Sequence, residues 1–121
     1  AGAKILMRTF IKKFRPAIEG LICAAQDRSI ALQLGLAVLT GLAGIVLGFV
    51  WWEWALVITL IGLVVTAEIL NTAIEKLCDF VQPNHDPRIK TIKDLAAAAV
   101  LFASLTALIV GLMLVVIHLI R

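Results

Sequence analysis

The sequence predicts an all-α membrane protein, with an N-terminal amphipathic helix on the membrane surface and three membrane-spanning helices, in one domain over residues 1–121. Three observations carry that prediction. Hydrophobic residues make up 62% of the chain and the mean hydropathy is +1.06, more than a soluble domain usually carries. No formal charge lies between Arg28 and Glu53, and His118 is the sole ionisable side chain between Asp94 and Arg121. Both stretches exceed the roughly 20 residues needed to cross about 30 Å of hydrocarbon. The segment from Trp54 to about Cys78 is apolar as far as Ala67 and then carries Glu68, Asn71, Glu75 and Asp79. At about 100° per residue these four fall within roughly 80° around a helix axis.

Residues 4–25 read as the surface helix. Leu6, Phe10, Phe14, Ile18 and Leu21 form an apolar face, and Lys4, Arg8, Lys12 and Arg15 a basic one. Pro16 predicts a kink or a break in it. The helix serves as an anchor at the inner leaflet, and Lys12 and Arg15 are also candidates to touch a phosphate. Ala1 to Leu6, ahead of Met7, carry little weight in this reading. A secretory signal fits poorly, because charge continues to Arg28 and the apolar stretch after it is too long for a signal core.

The first span is expected at about residues 30–51, and the connection after it at Trp51, Trp52, Glu53 and Trp54, an interfacial aromatic belt. The second span is expected at 54–78. The third, at 87–120, begins with Asp86 as N-cap and Pro87 at the first helical position. Lys90, Lys93 and Asp94 share a face of about 100° just before the small residues Ala96 to Ala99, which allow close helix approach. Two plainer accounts compete there: Thr91 and Asp94 as a capping box, and the lysines as topology markers. No repeat, low-complexity run or linker divides the chain.

Lys4, Arg8, Lys12, Lys13, Arg15 and Arg28 precede the first span, and Lys76, Arg88, Lys90 and Lys93 lie between the second and third. The tryptophan connection has no Lys or Arg, and only Arg121 follows the third span. The N-terminus is therefore expected in the cytoplasm and the C-terminus outside. The net charge of +3 reflects topology and anionic lipid rather than nucleic acid. Cys23 and Cys78 fall on the reducing side, so no disulfide is expected. His118 reads as interfacial, and His85 beside Asp86 does not make a metal site.

Depth makes the polar stripe informative. At about 1.5 Å per residue from Trp54, Glu68 lies roughly 21 Å in, Asn71 about 25 Å and Glu75 about 31 Å. The ladder starts inside the inner leaflet and ends at the cytoplasmic surface, where a lipid hydroxyl and a soluble reactant can meet. Carboxylates at such depth are costly and point to function. Carboxylates that hold Mg²⁺ or accept a hydroxyl proton, with lysine to neutralise a phosphoryl group, are what phosphoryl transfer requires. Neither a G-x-x-x-x-G-K-[ST] loop nor a protein-kinase G-x-G-x-x-G is present, so a kinase here is of another kind.

The segment Glu68-Ile-Leu-Asn71-Thr72-Ala73-Ile74-Glu75, then Asp79, then Lys90-Thr91-Ile92-Lys93-Asp94-Leu-Ala-Ala-Ala-Ala-Val100, strongly resembles the bacterial diacylglycerol kinase and undecaprenol kinase family. The resemblance covers nearly the whole chain, and its two halves are highly specific as a pair. It implies a homotrimeric bundle in the bacterial inner (plasma) membrane, with ATP as co-substrate, Mg²⁺, a lipid alcohol as acceptor, and active sites built from more than one subunit. Carried onto matching positions, it implies Glu68 as catalytic base with Asn71 beside it, Glu75 as metal-binding carboxylate next to ATP, and Lys93 and Asp94 as the pair that handles the phosphates. A further acidic metal ligand after the surface helix corresponds to Asp27 across a one-residue gap, where Arg28 stands at the ungapped position. Gln33 is implied at the nucleotide base, although a glutamine starting a span is as often merely interfacial. The Asn71 to Lys76 wording leans toward the undecaprenol branch. A proton-conducting subunit and a non-catalytic scaffold are the alternatives from other classes; the first does not need Asn71, Glu75 and the Lys93-Asp94 pair, and the second does not explain the deep carboxylates.

Overall fold

Helix α1 covers Gly2–Ala25 in the computed structural model, which describes all of residues 1–121. It buries none of its residues, and its apolar face is lined by Phe10 and Phe14, whose rings meet edge to face at 4.8 Å. The helix runs unbroken through Pro16, where the sequence predicts a kink or a break. Proline removes one intrahelical bond and leaves the Lys12 carbonyl without its helical donor. No residue of α1 is buried in the chain, so that carbonyl is not enclosed by other helices.

Asp27 turns the chain. Its side chain accepts the Ser29 N–H at 3.0 Å and so caps α2, Arg28–Leu47. Gly48 ends α2 in the left-handed region at φ 74°, and Phe49 N–H returns to the Gly44 carbonyl at 3.0 Å. Such a stop suits glycine, which bears no Cβ penalty there. Helix α3, Trp51–Val81, then starts at once, because the Glu53 carboxylate accepts the N–H of its N-cap residue Val50 at 3.1 Å. The connection is thus residues 48–50, and the three tryptophans belong to the first turn of α3 rather than to the turn expected at 51–54.

Asp86 caps α4, Pro87–Ile120, accepting the Arg88 N–H at 2.9 Å, as the Asp-Pro pair predicts. The Arg88 guanidinium also bonds this carboxylate and holds it below the usual range. Thr91 donates its hydroxyl to the Pro87 carbonyl at 3.0 Å, so the Thr91–Asp94 capping box does not form: the helix begins a turn earlier.

Helix α3 packs chiefly on α4, with α2 along its side and α1 touching mainly α2. The short core includes Ile30, Val57, Val64, Ala96, Ala103 and Leu114. Most large apolar side chains face outward instead, among them Val46, Phe80 and Phe102, as expected where lipid is the solvent. The three helices long and apolar enough to cross a bilayer are α2, α3 and α4, and the protein is integral to the membrane.

Lengths set the levels. The 20 residues of α2 extend about 30 Å, while the 31 of α3 and the 34 of α4 extend about 46 and 51 Å. Since α2 and α3 share a tight turn at one end, α3 and α4 overshoot α2 at the other. Asp27, at the start of α2, comes level with about Asn71 of α3 on this count.

The turn end is closed by a polar pair that the sequence reading left apart. Glu53 is fully buried, and its second oxygen lies 2.7 Å from His118 Nε2 near the end of α4. Phe49 stacks against both neighbours, 5.1 Å from the His118 ring and 5.7 Å from Trp54. Gly44 completes the cluster, since a Cβ there would lie 2.8 Å from Phe49 and from Trp54. His118, half-buried, is therefore the partner of Glu53 at this end of the bundle.

Candidate active site

The opposite end of α3 carries the polar stripe. Within the single chain Glu68 and Asn71 are 7% and 8% exposed, whereas Glu75 and Asp79 are exposed. One chain thus covers the two deeper groups by itself. Val57, Val64, Glu68, Asn71 and Cys78 form one buried line along α3, spaced by three, four or seven residues.

Asn71 is held by its neighbour a turn on: its Nδ2 donates to Glu75 Oε1 at 3.2 Å. That bond orients the amide, because the opposite orientation would set two acceptors against each other. Its Oδ1 is then buried with no partner. A buried acceptor without a donor costs free energy in the resting protein and calls for an explanation. Glu68, likewise, engages no hydrogen bond or ion pair, and the charges that reach it are those of Glu75 and Asp27. By the helix lengths, Asp27 on the α2 cap comes level with this part of the stripe.

Helix α4 contributes cations in a different pairing from the one read in sequence. Lys93 Nζ lies 2.6 Å from Asp79 Oδ1 across the α3–α4 seam, and Glu75 contributes to the field it feels. Asp94 instead pairs with Lys90 at 2.6 Å on its own helix, with its side chain 62% exposed. Lys93 and Asp94 thus take different partners, Asp79 on α3 and Lys90 on α4, since consecutive helical residues point about 100° apart. Lys12 on α1 is exposed and forms no ion pair. Gln33 sits inside α2 and lines a groove of about 550 Å³ among α2, α3 and α4, with Thr40, Phe49, Val64, Ser104 and Gly111.

No group of three or more His, Cys, Asp or Glu side chains converges to hold a metal ion. The carboxylates Glu75 and Asp27 still suit Mg²⁺, which is usually bound through one or two carboxylates with substrate phosphates and water completing the shell.

A model of the prokaryotic diacylglycerol kinase family matches residues 15–115, from the second half of α1 almost to the end of α4. The chain belongs to that family. The diacylglycerol kinase family match covers the stripe, the Asp79–Lys93 seam and Asp27 together. An undecaprenol kinase of Bacillus subtilis (strain 168) is 31% identical over 109 residues, spanning 89% of each chain. The protein is a lipid kinase of this family, which removes the proton-conducting and scaffold alternatives. Sequence reasoning missed the Asp79–Lys93 contact and the Glu53–His118 pair. For Glu53 and His118 the available signal was one ionisable group at the start of α3 and one near the end of α4, at the same level of antiparallel neighbours; Asp79 and Lys93 stand among several charges, which hid their pairing.

Proposed function

We propose that the protein transfers the γ-phosphoryl group of ATP to the hydroxyl of undecaprenol at the cytoplasmic face of the membrane, as one site of a homotrimer. The observation that carries this reading is the Glu68–Asn71–Glu75 ladder, whose buried deep end holds a carboxylate and an amide oxygen without partners, while its shallow end is exposed one turn from the Asp79–Lys93 pair. A buried carboxylate and a buried amide oxygen with nothing to bond suit a polar group that arrives from the lipid. An exposed carboxylate and lysine suit a phosphate that arrives from water.

In this reading the lipid hydroxyl donates its single O–H to Glu68, which takes the proton as the oxygen attacks, with Asn71 beside it on the same helix face. The new bond forms between that oxygen and the γ-phosphorus. The bond from phosphorus to the β–γ bridging oxygen breaks, and ADP carries away the electron pair. Lys93 steadies the charge on the phosphoryl oxygens. Glu75, with Asp27, would hold Mg²⁺, which neutralises phosphate charge when bound. The apolar chain of the lipid lies along the groove that Gln33 and Val64 line, about one turn below Glu68. Asp94, turned outward on α4, serves a neighbouring subunit, and Lys12 meets phosphate from the surface helix. The N-terminus lies in the cytoplasm and the C-terminus outside, in keeping with the basic residues around α1 and the start of α4.

Undecaprenol is preferred to diacylglycerol because the curated relative is an undecaprenol kinase. Initial rates with each lipid in mixed micelles, at varied ATP and Mg²⁺, test the proposal. A higher kcat/KM for undecaprenol, dependent on ATP, is expected. A reversed preference overturns the acceptor, and no ATP dependence overturns the donor.

A further inference from the structure

Asp79 is the one member of the stripe to which the proposed chemistry gives no task. It lies one turn beyond Glu75 on α3, outside the buried line, with its side chain 64% exposed. Its sole contact of note is with Lys93: Oδ1 to Nζ at 2.6 Å, from residues 14 apart on antiparallel helices. The lysine is itself 37% exposed, so both ends of the pair are reachable from the cytoplasmic side.

A lysine ammonium on four rotatable carbons is a poor positioner by itself, since fixing it costs much of its rotamer freedom. Asp79 takes one of its three N–H donors and leaves two. Glu75 lies one turn before Asp79 on the same stripe of α3, so the lysine held by Asp79 stands about a turn from that carboxylate. We infer that Asp79 is a positioning residue for nucleotide binding: by holding Lys93 across the α3–α4 seam, it presents two N–H donors to the phosphates of ATP. The contact also ties α4 to the stripe of α3, so the lysine keeps its level relative to Glu75.

The inference rests on the role of Lys93 proposed above, and a double-mutant cycle separates the two. Equilibrium binding of a fluorescent, non-hydrolysable ATP analogue with Mg²⁺ is measured for wild type, Asp79→Ala, Lys93→Ala and the double variant. Steady-state KM values for ATP and lipid are measured alongside. Asp79→Ala is expected to weaken analogue binding about two- to fivefold, the range for a partly exposed ion pair. KM for ATP should rise with it, while KM for lipid and kcat change little. Asp79→Asn keeps an acceptor in place and should fall between wild type and Asp79→Ala. In the Lys93→Ala background, Asp79→Ala should have no further effect on analogue binding.

Equal losses in both backgrounds would assign Asp79 a purely structural role and overturn the inference. Unchanged binding in the Asp79→Ala protein does the same while leaving Lys93 as a phosphate ligand. Tighter binding also overturns it, because Asp79 then competes with phosphate for the lysine. If Lys93→Ala itself leaves nucleotide affinity intact, the role of Lys93 fails and this inference fails with it.

Discussion

Glu68 and Glu75 are two turns apart on one helix, yet their surroundings divide their work. Glu68 is buried and free of hydrogen bonds, so it gains most from a substrate that brings a donor. Removing a positioned proton acceptor typically costs about 10² to 10⁴ in rate. Glu68→Gln should therefore lower kcat by roughly that factor while leaving ATP affinity largely intact, read from steady-state kinetics beside nucleotide titration. Near wild-type turnover in a folded Glu68→Gln protein would reduce this carboxylate to a structural group and move the base to Asp94. Glu75 is exposed and accepts from Asn71, a better setting for a metal and phosphate ligand than for a base. Glu75→Gln keeps the hydrogen bond in part but loses the charge, and should weaken binding of ATP with Mg²⁺ by about tenfold or more. Unchanged affinity for Mg²⁺-ATP in that variant would place the metal elsewhere. The stripe itself was legible in the sequence because helical periodicity alone aligns residues 68, 71, 75 and 79. The Lys93 contact was not, because several charges at the facing ends of α3 and α4 offer partners and only the packing of the two helices selects Asp79.

At the scale of elements, the helices were legible because long uncharged runs and the Asp86-Pro87 start leave few alternatives. Their ends were less so. The turn was expected at the tryptophans because aromatic residues mark an interface, but backbone conformation decides a turn, and Gly48 supplies the left-handed stop three residues earlier. Glu53 looked like a polar turn residue, and only the antiparallel pairing of α3 with α4 brings it to His118 across 65 residues of sequence. This contact ties the beginning of α3 to the end of α4, at the opposite end of the bundle from Glu68. His118→Ala leaves a buried carboxylate with the Val50 N–H alone, an arrangement in which the desolvated acid loses its main partner. Its melting temperature in detergent should fall by about 5 °C or more, with kcat per folded enzyme little changed. A large loss of kcat without loss of stability would instead couple this clasp to the active site. Pro16 teaches a related lesson: a proline breaks a helix when the freed carbonyl must be buried, and α1 buries nothing.

For the whole molecule, the excess of apolar side chains on the outside separates two kinds of surface that one chain cannot distinguish: faces for lipid and faces for another copy. Covering Glu68 and Asn71 would be one reason for an oligomer, but a single chain already buries both. A different reason replaces it. Asp94 lies outside the Glu75–Asp79–Lys93 cluster, bonded to Lys90 and 62% exposed at the level where the site needs acid and cation together. If that carboxylate works in catalysis, it works on the site of a neighbour, which fits the composite active sites implied by the family resemblance. Native mass spectrometry and crosslinking in mild detergent should then find trimers. Mixing should supply the functional half of the test: Asp94→Asn and Glu68→Gln proteins, each inactive alone, should regain activity when unfolded and reassembled together. In a mixed trimer some interfaces bring an intact Glu68 from one subunit against an intact Asp94 from another, and only those sites turn over. Activity that stays absent in verified mixed trimers would confine each site to one chain, and an active monomer would remove the trimer itself.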